Sequence, residues 1–360
     1  MTRYAVIMAG GSGERFWPVS RRHRPKQLLK LTHPDETLLE EAVNRISPLI
    51  PVGHVMIATG LSLVEAVREA KLVSDENVLA EPAKRNTLGC LVWVAANLLS
   101  RHNGSEDTVS MAVLTADHKI GESDRFRETV DKALTTAEKT NGLVTIGIHP
   151  TRPETGYGYV EQGQILDSGN PEVYSVESFR EKPDFATATH YIESENYLWN
   201  SGMFFWTLRG FLAEMSHCNP EVYQTILQLA RLIGEGQNDL ATSAFHDLPS
   251  ESIDYALLEK ANQVYTVRGD FPWDDVGAWD ALERSMPLDD DANVIQGKAM
   301  VVDTSGMIVY NDDPDVLVTT VGVHDLIVVV TESAVMICPK ADAQRVREIL
   351  QQLPVDSDLR

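Results

Sequence analysis

Apolar residues follow two alternating periods through the first half of the chain. Strand-length apolar runs occur at Ala5–Met8, His54–Ala58, Val109–Leu114 and Leu143–Ile148. Between them, Thr37–Ile46, Leu63–Lys71, Arg85–Arg101 and Asp124–Lys139 repeat their apolar residues at helical spacing. Short buried strands alternating with amphipathic helices predict an α/β fold whose sheet is mostly parallel and covered on both faces. Ligands of such sheets bind beyond the carboxyl ends of the strands. The next stretch is less regular. Gly156–Glu161 and Glu177–Glu181 read as shorter strands, with helices near Phe185–Ser194, Gly210–Glu214 and Pro220–Ile233.

The pattern changes after Pro287. The acidic, turn-rich stretch from Pro287 to Asn293 reads as a linker. Beyond it come short β-rich runs (Ala299–Val302, Met307–Tyr310, Val316–Thr320, Leu326–Val330, Val335–Ile337) separated by Gly, Asp or Asn. One amphipathic helix over about Ala341–Leu353 closes the pattern. Two domains are therefore expected, at 1–287 and 288–360. The second is a small β-rich domain with a terminal helix, for which a short β-helix is one form, although no strict repeat period is visible.

A length of 360 residues with 43% hydrophobic and 23% charged content suits a globular protein with a large core. The formal charge of −22 argues against non-specific binding to nucleic acid or an anionic membrane. No signal-like or membrane-length apolar run is present, so a cytoplasmic location is expected. The three cysteines, Cys90, Cys218 and Cys338, are far apart and lack metal-ligand spacing.

An acidic protein that handles an anion must gather its cations locally, and one place stands out. The strand at Ala5–Met8 opens into Gly10-Gly11-Ser12-Gly13-Glu14-Arg15, with Lys26 following in Arg24-Pro25-Lys26-Gln27. Backbone N–H groups at Gly10, Gly11 and Gly13 can approach phosphates closely, because glycine has no Cβ to hold a ligand off. Arg15 and Lys26 add fixed positive charge there, which suits a nucleoside triphosphate. Asp117 follows an apolar strand, and Asp275 lies in Trp273-Asp274-Asp275-Val276-Gly277. Two carboxylates plus phosphate oxygens are sufficient for Mg²⁺. Glu81 can accept both N1–H and N2–H₂ of guanine, with Asn86 as a second base contact. Gly158, Glu181, Lys182 and Asn200 supply a close backbone approach, hydrogen-bonding groups for a sugar and a cation for its phosphate.

In this order the segments resemble the sugar-nucleotide pyrophosphorylases, and within them the bacterial mannose-1-phosphate guanylyltransferase family. The matching pieces are GGSGERFWPVSR with RPKQ, EPAKRNT, ADH, TRPETGYGYVE, FREKP, WNSGMFFW, SIDYALLEK and WDDVGAW. They run from Gly10 to Trp279. Thr115-Ala116 and Ala278 depart from the residues common at those places in the family. The resemblance implies a Rossmann-like nucleotidyltransferase domain and the reaction of GTP with α-D-mannose 1-phosphate, giving GDP-mannose and pyrophosphate. It implies Arg15 and Lys26 as catalytic, Gly10, Gly11, Gly13, Glu81 and Asn86 as nucleotide-binding, and Gly158, Glu181, Lys182 and Asn200 as sugar-phosphate-binding. Asp117 and Asp275 would hold Mg²⁺. A homo-oligomer is open.

Other readings compete. The substrates could be another nucleoside triphosphate and hexose 1-phosphate. A catalytically silent nucleotidyltransferase-like sensor would be expected to have lost a cation or a metal ligand, yet Arg15, Lys26, Asp117 and Asp275 are all present. A metal-dependent glycosyltransferase would have no need of the Arg15–Lys26 turn.

Overall fold

Successive residues of a strand point to opposite faces, and the first strand shows the consequence directly. In Thr2–Met8 (β1), Tyr4 and Val6 join one hydrophobic cluster, while Ala5 and Ile7 join another. The computed structural model describes residues 1–360, and its central sheet has nine strands. The others are Val55–Gly60 (β2), Val78–Glu81 (β3), Val109–Thr115 (β4), Leu143–Ile148 (β5), Gly158–Asp167 (β6), Val173–Glu181 (β7), Tyr197–Thr207 (β8) and Val264–Gly269 (β9). Their order is β3-β2-β1-β4-β8-β5-β9-β7-β6.

The strands β3, β2, β1 and β4 are parallel neighbours, so their carboxyl ends share one edge. The other half of the sheet is mixed. β8 runs antiparallel to both β4 and β5, and β9 runs parallel to β5 and antiparallel to β7. β6 pairs with β7 and also with β8, which curls this half back on itself. One face packs against helices Asn86–Arg101, Leu208–Cys218 and Pro220–Gly234, the other against Leu38–Ile46 and Ser123–Thr140. Thr37 caps its helix in a reciprocal capping box with Glu40, as the Thr-x-x-Glu spacing requires.

The eight elements expected in the first half are present, with ends shifted by a few residues. β8 is the main addition. Its Asn200-Ser201-Gly202 interrupts the apolar run, yet those residues sit inside a strand buried on both faces. β3 and β9 also escape the pattern, being short or mixed in polarity.

The acidic stretch after Pro287 is an ordered turn rather than a loose linker. Asn293 is buried, its side chain donates to Asp289 and the Thr304 carbonyl, and its oxygen accepts from the Met307 N–H. Past it, Val294–Gln296 (β10), Ile308–Asn311 (β12) and Leu326–Thr331 (β14) stack in parallel. Ala299–Val302 (β11) and Val318–Val321 (β13) form a second parallel pair, and Ala334–Pro339 (β15) closes antiparallel on β14. The closing helix is only half α-helical: Lys340–Val346 is 3₁₀ and Arg347–Gln352 is α. Ala343 and Val346 are both buried, and the three-residue repeat of a 3₁₀ helix is what places them on one face.

A single cluster joins the two regions. Phe16, Trp17, Val276 and Trp279 pack with Tyr310, Val329, Ala343 and Val346. Trp279 is fully buried against Phe16 and Tyr310, and its indole N–H donates to the Trp17 carbonyl at 3.1 Å. Burying a large aromatic side chain is worth roughly 1.5–3 kcal/mol in transfer alone, so the C-terminal strands are held against the base of the glycine turn.

Candidate active site

Because β3, β2, β1 and β4 are parallel, the residues that follow them collect at one edge. Glu81 ends β3, the glycine turn follows β1, and Asp117 follows β4. Together they line a cleft of about 530 Å³ with Arg15, Lys26, Asn86, His118, Asp275 and Gly277.

The turn is pinned from behind. Gln27 is buried and its amide donates to the Ala9 carbonyl at 2.6 Å, which also accepts from Thr59 Oγ1 at 2.9 Å. Ser20 Oγ donates to the Ser12 carbonyl. Gly13 has φ +63°, and a Cβ there would fall 2.5 Å from Cβ of Lys26. Gly13→Ala therefore adds backbone strain of about 1–3 kcal/mol and pushes Lys26 aside. The expected outcome is a fall in both nucleotide affinity and turnover, read by titration calorimetry and initial rates.

Lys26 is almost fully buried, and its Nζ donates to Asp117 Oδ2 and to the Asp275 carbonyl, each at 2.9 Å. Burial works to raise the Asp117 carboxyl, but the charge and hydrogen bond of the Lys26 ammonium outweigh it and hold Asp117 below the usual carboxylate range. Arg15 Nη1 donates to the Gly277 carbonyl at 2.9 Å. A Cβ on Gly277 would meet the Asp275 carboxylate at 2.9 Å and Arg15 at 3.3 Å, so only glycine lets these groups crowd together. Burial lowers the His118 pKa, and its Nδ1 accepts from the Trp273 indole N–H at 3.2 Å. A neutral imidazole with its proton on Nε2, toward Asp117, follows.

The adjacent aspartates have separate tasks. Asp274 is buried, accepts from the Val276 N–H and is paired with Arg284, so it shapes the loop. Asp275 lines the cleft, and its Oδ1 accepts from the Tyr157 hydroxyl at 2.6 Å. Burial, then the Asp275 carboxylate, pushes the Tyr157 pKa up and keeps the phenol a proton donor. No three His, Cys, Asp or Glu side chains converge as a cage. Asp117 and Asp275 offer hard oxygen donors only, so a divalent cation between them must complete its shell with ligand phosphates and water. That donor set fits Mg²⁺-like coordination.

Glu81 is buried and desolvation pushes its pKa up to about 7, with the Cys90 thiol against it. Asn86 takes φ +58°, and its Oδ1 accepts from the Thr87 N–H at 2.8 Å, which leaves its NH₂ free beside Glu81 in the cleft.

The four remaining candidates gather separately. Pairing of β6 with β7 places Gly158 opposite Glu181, and its curl onto β8 brings Asn200 near; a Cβ on Gly158 would lie 2.5 Å from the Glu181 carboxylate and 3.4 Å from Asn200. Lys182 is salt-bridged to Glu181. Asn200 accepts from Thr145 and donates to Asp254 Oδ1 at 3.2 Å. Burial, then the Glu181 carboxylate, raises Asp254 to about 6. None of these residues lines the cleft itself. They abut it, since the Ile253 N–H donates to Thr87 Oγ1, and a Cβ on Gly202 would lie 4.0 Å from the Thr115 methyl.

Sequence reasoning assigned no role to Gln27, Tyr157, Asp254 or Arg347. The first three fall inside the quoted motifs, at RPKQ, TGYGY and SIDYALLEK. Arg347 lines the cleft from the C-terminal helix and had no signal beyond amphipathic spacing.

The family model for nucleotidyl transferases matches residues 4–291, and that for the MannoseP isomerase/GMP-like beta-helix domain matches residues 297–353. A mannose-1-phosphate guanylyltransferase of Escherichia coli is 35% identical over 354 residues, covering 97% of this chain and 75% of the relative. One from Klebsiella pneumoniae is 34% identical over 353 residues, covering 97% and 73%. A crystal structure from Thermus thermophilus, described as a mannose-1-phosphate geranyltransferase, superposes with a TM-score of 0.87 at 35% identity, covering 98% of this chain and 99% of that one. No helix is long and apolar enough to cross a membrane. A glycine turn with its two cations, a facing carboxylate pair and relatives matched over nearly the whole length agree, and the chain belongs to the mannose-1-phosphate guanylyltransferase family of nucleotidyl transferases.

Proposed function

We propose that the chain transfers GMP from GTP to α-D-mannose 1-phosphate, giving GDP-mannose and pyrophosphate. The observation that carries this reading is the buried Lys26 ammonium, which bridges Asp117 and the Asp275 loop directly behind the glycine turn. A phosphate oxygen of the sugar phosphate attacks the α-phosphorus in line. The new P–O bond forms as the bond bridging the α- and β-phosphorus breaks, and its electron pair leaves with pyrophosphate. The sugar phosphate is the nucleophile, so no protein nucleophile is required. Positioning and neutralisation of the shifting charge supply the catalysis.

In this reading Arg15 holds the departing phosphates and Lys26 neutralises the reacting phosphate. Gly10, Gly11 and Gly13 cradle the chain of phosphates. Asp117 and Asp275 would hold Mg²⁺, which when bound neutralises phosphate charge. Tyr157 orients Asp275. Gly158, Glu181, Lys182 and Asn200, with Asp254, would bind the sugar phosphate. The test is pyrophosphate release by the purified protein across nucleoside triphosphates and hexose 1-phosphates, with magnesium and with chelator. Release confined to another pair would replace the substrates named here, and no release with any pair would favour a silent sensor.

Base choice rests on Glu81 and Asn86. Glu81→Gln turns an NH₂ toward guanine's own donors, so kcat/KM for GTP is expected to fall about ten- to a hundredfold. ATP and UTP should change little. A pH dependence follows from the raised pKa of Glu81. Only the ionised carboxylate accepts both guanine donors, so wild-type affinity for GTP should climb as pH rises through about 7. The wild-type profile divided by that of the Gln variant should keep that rise, because the division cancels titration of the nucleotide itself. Linkage runs the other way for folding. Between the ordinary carboxylate range and about 7 the folded chain keeps a proton that the unfolded chain has lost, so wild-type stability falls as pH rises through that window.

A further inference from the structure

The cleft contains two cations that the reading above leaves unused, Lys84 and Arg347, and the second comes from the C-terminal region. Arg347, the first residue of the C-terminal α-helix, lines it together with Arg15, Lys26 and Lys84. Lys26 is committed to Asp117 and to a carbonyl, and one Arg15 nitrogen is committed to Gly277. Arg345, two residues before Arg347, is paired with both Asp342 and Glu348. Arg347 has no carboxylate within ion-pair distance, in a molecule with 53 acidic residues.

Its position is anchored. Val346 is buried in the same cluster as Phe16, Trp17 and Trp279. Phe16 follows Arg15 and Val346 precedes Arg347, so one buried cluster anchors both arginines at the cleft. The segment after the helix is tied to the same loop. The Trp17 indole N–H donates to the Leu359 carbonyl at 2.8 Å, and the Arg22 N–H donates to the Arg360 carbonyl at 3.0 Å. Leu350 and Arg360 wall the adjoining cavity, which shares Gly10, Glu81 and Lys84 with the cleft.

We propose that Arg347 binds the β- and γ-phosphates of the nucleotide and the pyrophosphate they become, so that the C-terminal region supplies part of the active site. This rests on the nucleotidyl-transfer reading. A nucleoside triphosphate brings several negative charges into an acidic protein, and breaking the bridging bond adds negative charge to the leaving pyrophosphate. A guanidinium with no internal partner can donate to two phosphate oxygens at once, and it interacts most strongly where charge accumulates. The β-rich domain would then serve as the mount that fixes this donor beside Arg15.

The test uses the full chain with Arg347→Ala, Arg347→Lys and, as control, Arg345→Ala. Binding of inorganic pyrophosphate, GTP, GDP and GMP is measured by titration calorimetry, beside initial rates and thermal melting. Arg347→Ala is expected to weaken pyrophosphate and GTP roughly ten- to a hundredfold, GDP less and GMP hardly at all. KM for the sugar phosphate and the melting temperature should stay near wild type. Arg347→Lys should recover part of the loss, and Arg345→Ala should behave as wild type. Unchanged pyrophosphate and GTP binding in Arg347→Ala would overturn the inference. So would an equal loss for GMP, because the side chain would then act on the shape of the cleft. A wild-type protein that neither binds nor turns over any nucleoside triphosphate defeats the underlying reading, whereas an active wild type with an indifferent Arg347 defeats this inference alone.

Discussion

Replacing Lys26 by alanine is expected to lower turnover by about 10²–10³, with a much smaller loss of nucleotide affinity. The ammonium sits at the meeting point of the two halves of the site, 2.9 Å from both Asp117 Oδ2 and the Asp275 carbonyl. Two things fail together when it is removed. The positive charge that answers negative charge moving in the transition state is gone, and such charge acts on kcat more than on ground-state binding. Asp117 also loses the partner that holds its carboxyl below the usual range, leaving burial to push it up. The acid limb of the pH–rate profile should therefore move to higher pH in Lys26→Ala. Arg15→Ala should lose turnover comparably without that movement, because Arg15 is bonded to the Gly277 carbonyl rather than to Asp117. Single-turnover rates and calorimetric titration of GTP separate the two effects. Near-wild-type turnover in either variant would sink the proposed charge neutralisation.

The second large effect concerns the carboxylate pair. Asp117→Asn and Asp275→Asn should each raise the magnesium concentration needed for half-maximal rate, and the double variant should retain almost no activity. Both side chains line the cleft with oxygen donors only, and no third protein ligand stands by to compensate. Tyr157→Phe offers a gentler probe, since it removes the 2.6 Å hydrogen bond that orients Asp275, and with it the 3.3 Å bond the hydroxyl accepts from Arg152, while leaving both cleft carboxylates in place. It should raise the magnesium requirement less than Asp275→Asn does. The measurement is rate against free Mg²⁺ for each variant, with chelator as the zero point. Activity indifferent to chelator would mean that the pair merely supports Lys26 and the loop.

Much of this site was legible before folding was considered. The glycine turn after a buried strand, Lys26 in its short motif and the helices of the first half are local features, written in adjacent residues and in their period. The C-terminal runs likewise announced strands. What escaped had non-local causes. β8 carries Asn200-Ser201-Gly202 in its middle, a sequence that reads as a turn; it is a strand because β4 and β5 flank it on either side. Composition and spacing do not separate Asp274 from Asp275, which the resemblance alone singled out; in the fold Arg284 captures the first and Tyr157 bonds the second. The stretch after Pro287 has the composition of a linker, yet Asn293 spends its hydrogen bonds across the turn and orders it.

By itself, then, the sequence determined the α/β class, the glycine turn with Arg15 and Lys26, and the acidic residues proposed as a metal pair. Those are properties of short windows, where glycine's backbone freedom and the periods of strand and helix leave few alternatives. Tertiary structure decided which groups meet. Parallel pairing of β3, β2, β1 and β4 carried Glu81, the glycine turn and Asp117 to one edge. Pairing of β6 with β7 and its curl onto β8 gathered Gly158, Glu181 and Asn200 into a second cluster beside it. Burial against Phe16, Trp17 and Trp279 brought the C-terminal helix, and Arg347 with it, to the rim of the cleft. Contacts of this range depend on sheet order and on a shared core, and neither is encoded in the spacing of any one segment.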